Sequence, residues 1–70
     1  MTLLEEVETL IKDGAFVTIV VSSTDGCADM ICEYESRETI TYFIGEVYFD
    51  KIYFKPIIKK YGKMFDYIVE

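Results

Sequence analysis

The chain has no histidine, tryptophan, asparagine or glutamine, and holds one arginine, one proline and two cysteines in 70 residues. Without histidine, the commonest general base and the commonest zinc ligand are missing, along with every Ser-His or Cys-His nucleophile pair. Without asparagine and glutamine, the neutral amide ligands are gone as well. Two cysteines are a poor disulfide framework for a secreted domain of this size. Reduced thiols and a cytoplasmic setting are the expectation. The longest uncharged stretch, Gly14 to Thr24, is 11 residues, about half of what a transmembrane helix needs. The N-terminal Met1-Thr2-Leu3-Leu4-Glu5-Glu6 is acidic where a secretory signal is basic.

What is present is a folding composition. Hydrophobic residues make up 51% and aromatics 16%, too apolar for a disordered tail. Seventy residues make one domain with a small core. The net charge of −6 is unevenly placed. Residues 1–50 carry 11 acids against Lys12 and Arg37, a balance of −9, whereas residues 51–70 carry five lysines against Asp66 and Glu70, a balance of +3. An acidic majority disfavours nucleic acid and favours a basic partner.

Thr2-Leu3-Leu4-Glu5 fits a capping box, and Leu3, Val7, Leu10 and Ile11 follow at helical spacing until Asp13-Gly14. Ala15 to Ser22 is β-branched and apolar, and reads as a buried strand. After a Ser23–Gly26 turn, Cys27 to Glu35 alternates, with Ala28, Met30, Cys32 and Tyr34 on one face and Asp29, Ile31, Glu33 and Glu35 on the other. Thr39 to Ile44 is a third strand. Gly45-Glu46 then either turns a hairpin into a fourth strand, Val47 to Phe54, or bulges one long bent strand. Pro56 suits the start of a helix, continued by the stripe Ile57, Ile58, Tyr61, Met64, Phe65 and Ile68. The expected fold is α+β: an N-terminal helix, an antiparallel meander of three to four strands, and a C-terminal helix, in one domain over residues 1–70.

No catalytic, metal or cofactor constellation emerges. Cys27 and Cys32, five apart on one strand, point to opposite faces and cannot chelate one metal. Asp25-Gly26 is an isolated turn, not a phosphate loop. An enzyme is not expected, nor is any cofactor.

Two features suggest binding. If Val17, Ile19 and Val21 face the helices, then Phe16, Thr18, Val20, Ile31 and Phe43 form the reverse face of the sheet. That face is an apolar centre rimmed by Asp29, Glu33 and Glu35, the composition of a protein-binding surface. Coverage by one helix on each side, or a homodimer seam, are the alternatives. Asp29, Glu33 and Glu35 are further expected to project at about 7 Å intervals, near the spacing of successive phosphates. The second feature is Lys59 and Lys60, which the expected helix places in its first turn against the macrodipole, beside Glu5, Glu6 or Glu8. A competing interpretation puts Tyr48, Phe49, Tyr53 and Phe54 on a sheet with Lys51, Lys55, Lys59, Lys60 and Lys63 around them, as a single-stranded nucleic-acid binder. The lone arginine and the acidic first 50 residues argue against it.

The stretch Glu6 to Gly26, EVETLIKDGAFVTIVVSSTDG, sets a helix, a Lys-Asp-Gly stop, a strand and a Thr-Asp turn in order. With the small size, the acidity and the Tyr/Glu-rich strands, it resembles the small phage-borne anti-CRISPR proteins that inhibit Cas9 by mimicking DNA. The resemblance implies a viral inhibitor whose acidic side chains occupy a basic site on a nuclease. The partner-binding residues expected here are Phe16, Asp29, Ile31, Glu33, Glu35 and Phe43.

Overall fold

A computed structural model describes residues 2–46 and 50–70, with the side chain of Glu46 also outside the description. Helix α1 (Leu3–Lys12) leads into strands β1 (Phe16–Val21), β2 (Cys27–Glu33) and β3 (Ile40–Glu46). A 3-10 turn (Lys51–Phe54), helix α2 (Lys55–Tyr61) and strand β4 (Phe65–Val69) complete the chain. The fold is α+β, as expected, but the sheet is mixed. Its order is β3-β2-β1-β4, with β1–β2 and β2–β3 antiparallel and β4 parallel to β1.

The N-terminal half follows its local signals. Thr2 Oγ1 accepts from the Glu5 amide at 3.2 Å, and Glu5 Oε1 accepts from the Thr2 amide at 3.3 Å, so the capping box is formed. Gly14, at φ 99°, takes the left-handed conformation that reverses the chain after α1. Between β1 and β2, Asp25 Oδ1 accepts from the Cys27 amide at 2.9 Å. That hydrogen bond is the main reason the Asp25 carboxyl lies below its ordinary pKa.

The C-terminal third departs from expectation in two places. Residues 51–54 are a 3-10 turn capped by Asp50, whose Oδ1 accepts from the Ile52 amide at 2.8 Å, so they are not the second half of a Val47–Phe54 strand. Val47, Tyr48 and Phe49 lie outside the described residues. β3 runs through Gly45, with one extra residue where the register shifts between Ala28 and Asp29; neither the hairpin nor one strand reaching Phe54 describes residues 51–54. The final helix also ends early. α2 stops at Tyr61, and Phe65–Val69 pairs with β1 from Val17↔Phe65 to Val21↔Val69. A Cβ on Gly62 would lie 2.6 Å from the Ile58 carbonyl oxygen, so a hydrogen in place of a side chain lets the chain leave the helix here. The parallel ladder is extended by Val17 N–H to Met64 O (3.0 Å) and Glu70 N–H to Val21 O (2.9 Å).

Both helices lie on one face of the sheet. Val7 and Ile11 of α1, Ile57 of α2 and Phe54 meet Val17, Ile19, Val21, Ala28, Met30 and Cys32 in a single core. Phe54 is fully buried, its ring 5.3 Å from Phe65 and 5.5 Å from Tyr67. Burying one such side chain contributes about 1.5–3 kcal/mol. The stabilising apolar burial of the fold therefore lies on the helix side of the sheet.

Candidate functional site

Among the described residues, no helix covers the reverse side of the sheet. Strand register sets it out in rows. Phe16 lies beside Glu33, Thr18 beside Ile31, and Val20 beside Asp29 on the β1–β2 ladder. β3 adds Thr41 next to Ile31 and Phe43 next to Asp29. β4 adds Asp66 next to Thr18 and Ile68 next to Val20. Side chains two apart on a strand share a face, so Phe16, Val20, Ile31, Phe43 and Ile68 make one apolar surface. Asp29, Glu33 and Asp66 stand on it or at its rim, all exposed. Phe43 is 71% exposed and Ile68 40%. Phe16, Val20 and Ile31 are half-buried.

Five of the six expected binding residues therefore share this face: Phe16, Asp29, Ile31, Glu33 and Phe43. Glu35 does not sit on the strand, because β2 ends at Glu33. It reaches the same surface differently, lining a groove of about 440 Å³ together with Phe16 and Glu33 at one end of the face. The evenly spaced acidic ladder is not found. Asp29 and Glu33 are four residues apart with Ile31 between them, which is about 13 Å along a strand. Phosphate-like spacing is absent on β2.

Sequence reasoning missed Asp66 and Ile68, which continue the face across β4. Their signal was present as period-two alternation over Phe65-Asp66-Tyr67, just beyond Gly62-Lys63. The helical stripe through Met64, Phe65 and Ile68 overlapped it and concealed it.

Among the described residues, cations are few at this face: Arg37 lines the groove at its end, together with Phe16, Glu33 and Glu35. None of the four strands contains a lysine or arginine. Lys51 is in the 3-10 turn, while Lys55, Lys59 and Lys60 are on α2. Lys59 and Lys60 occupy the last turn of α2, not the first. There they favour the macrodipole, and the expected conflict disappears. Lys60 Nζ is 3.7 Å from Glu8, which Lys12 also approaches at 3.4 Å. Desolvation pushes the Glu8 pKa up, but the two lysines outweigh it and hold the carboxyl below its ordinary value. These pairs are exposed and add little stability. The single arginine is engaged too: Arg37 meets Asp13 Oδ2 at 3.2 Å and lies 4.2 Å from the centre of the Tyr34 ring.

The premise of a nucleic-acid stacking platform is not met by its described aromatics. Tyr53 and Phe54 belong to the 3-10 turn rather than a strand, and Phe54 is core. Tyr48 and Phe49 lie outside the described residues. Cys27 is half-buried on the open face and Cys32 fully buried on the helix face, where desolvation raises its thiol pKa. Among the described residues, no group of three or more Cys, Asp or Glu is arranged to hold a metal ion, and no helix is long and apolar enough to cross a membrane. Compared with protein-family models, curated proteins and solved structures, the chain matches none.

Proposed function

We propose that this chain is a protein-interaction module, an inhibitor or adaptor, that docks the open face of its sheet onto a basic site of a nucleic-acid-handling protein. The observation that carries the reading is the composition of that face: five apolar side chains with Asp29, Glu33 and Asp66, in a sheet whose strands hold no cation. An apolar centre supplies contact area, while like-signed rim charges steer a partner of opposite sign and exclude nucleic acid itself. Occupation of a nucleic-acid channel by these carboxylates, as in the anti-CRISPR proteins that the N-terminal stretch resembles, is the specific form of this reading. The acids are spread across β2 and β4 rather than along one strand, so a mimic of this kind presents charge as an area and not as a ladder.

Affinity capture with the folded chain tests it. Wild type and an Asp29→Lys, Glu33→Lys, Asp66→Lys variant are used to retain proteins from host lysates at low and moderate salt. The expected result is a set of basic proteins held by wild type, released by salt and lost with the variant. Equal retention by both proteins contradicts the proposal.

A further inference from the structure

The groove of about 440 Å³ at the Glu33 end of the open face is walled by Phe16, Tyr34 and Met64, all half-buried. It lies at the opposite end of the sheet from Glu46, whose partner on β2 is Cys27, about 20 Å along the strand from Glu33. One guanidinium is already held in this groove by a ring and a carboxylate. Arg37 lies 4.2 Å from the centre of the Tyr34 ring, and its Nη2 is 3.2 Å from Asp13 Oδ2. The same ingredients recur at Phe16. Its partner on the β1–β2 ladder is Glu33, and Glu35 lines the groove with them. Among the described residues, neither Glu33 nor Glu35 pairs with a cation.

We infer that this groove takes an arginine side chain of the basic partner, its guanidinium between Glu33 and Glu35 and its aliphatic stem along Phe16 and Met64. The partner's basic character rests on the proposed function; the groove adds which of its side chains is anchored, and where. Charge selects a cation. Asp13 is matched by Arg37, which leaves the two glutamates of the groove uncompensated. The apolar walls select a cation on a long stem, which covers apolar surface while its charged head stays wet. Shape selects arginine over lysine. A guanidinium is planar, stacks on aromatic faces and donates to two carboxylates at once, whereas an ammonium is a compact, strongly hydrated point charge.

The groove is continuous with the open face, sharing Phe16 and Glu33 with it. A partner docked on the face therefore has the groove within reach, and arginine is among the residue types that most often anchor such contacts. Arg37 limits the site: its charge repels a second cation from the Asp13 side, so one arginine is bound rather than a run of them. Glu33 and Glu35 are exposed. A lone arginine side chain is accordingly held at about the millimolar level, and the affinity of a complex comes from groove and face together.

Amide chemical-shift titration of the whole chain with N-acetyl-arginine amide, at constant ionic strength, tests the groove without any partner protein. The corresponding lysine amide and the neutral citrulline amide serve as comparisons. Expected are saturable shifts at Phe16, Glu33, Tyr34 and Glu35 with arginine, about threefold weaker binding of lysine, and no saturation with citrulline. Glu33→Gln with Glu35→Gln, exchanges at exposed positions that leave the fold intact, should abolish the response, whereas Asp29→Lys with Asp66→Lys should keep it. Shifts that stay linear, that survive in the Gln variant, or that are equal for lysine and arginine would overturn the inference. Arginine binding in the groove with no basic protein captured from lysates would refute the proposed function alone. Capture of basic proteins with no arginine response would refute the groove alone.

Discussion

Phe43 and Phe54 are the same residue type, eleven positions apart, with opposite surroundings: one is 71% exposed and the other fully buried. Composition does not separate them. Phe43 lies on β3 facing away from the helices, whereas Phe54 closes the 3-10 turn against the rings of Phe65 and Tyr67. Removing a buried aromatic loses transfer energy and leaves a cavity, so Phe54→Ala should cost about 3–5 kcal/mol. Phe43→Lys should change stability by no more than about 0.5 kcal/mol, as exposed substitutions do. Urea unfolding measures both. A large loss from Phe43→Lys would mean that this face is covered within the chain.

At the scale of elements, what was legible was what had its own local signals. α1 announced itself by the Thr2–Glu5 box, its 3.6-residue period and Gly14. β1 and β2 did so by β-branched content and by alternation around Asp25-Gly26. The final 20 residues carried two periods at once. Ile57, Ile58 and Tyr61 continue into Met64, Phe65 and Ile68 as a helix stripe, yet Phe65 to Val69 also suits a strand. Pairing with β1 decided between them, and that partner is more than 40 residues away in sequence, where no local window reaches it. Gly62 marks the division. Its Cβ would meet a backbone oxygen at 2.6 Å, so Gly62→Ala should destabilise the fold by about 1–2 kcal/mol despite alanine's higher helix propensity. Thermal unfolding provides the check, and a stabilised Gly62→Ala would show that α2 runs on through this position.

For the whole molecule, the charge asymmetry first read along the chain lies between elements: α1 carries Glu5, Glu6 and Glu8 beside the lysines of α2. The lysines of residues 51–60 belong to the 3-10 turn and α2, on the helix side, and the strands have only acids. The candidate face was largely legible in the sequence, because alternation on β1 and β2 fixes which residues point away from a helix layer. Its β4 portion was not, since parallel pairing with β1 is a long-range choice. Nor was the position of Glu35, which depends on where β2 stops. Under the proposed function this face, with Asp29, Glu33 and Asp66, is where a basic partner binds. Amide chemical-shift mapping of the labelled chain, titrated with a basic protein captured by it, tests that claim most directly. Salt-sensitive shifts are expected to concentrate at Thr18, Val20, Asp29, Ile31, Glu33, Asp66 and Ile68, since exposed charges are screened over about 8 Å at physiological ionic strength. Shifts confined to α1 and α2, unchanged by salt, would contradict it.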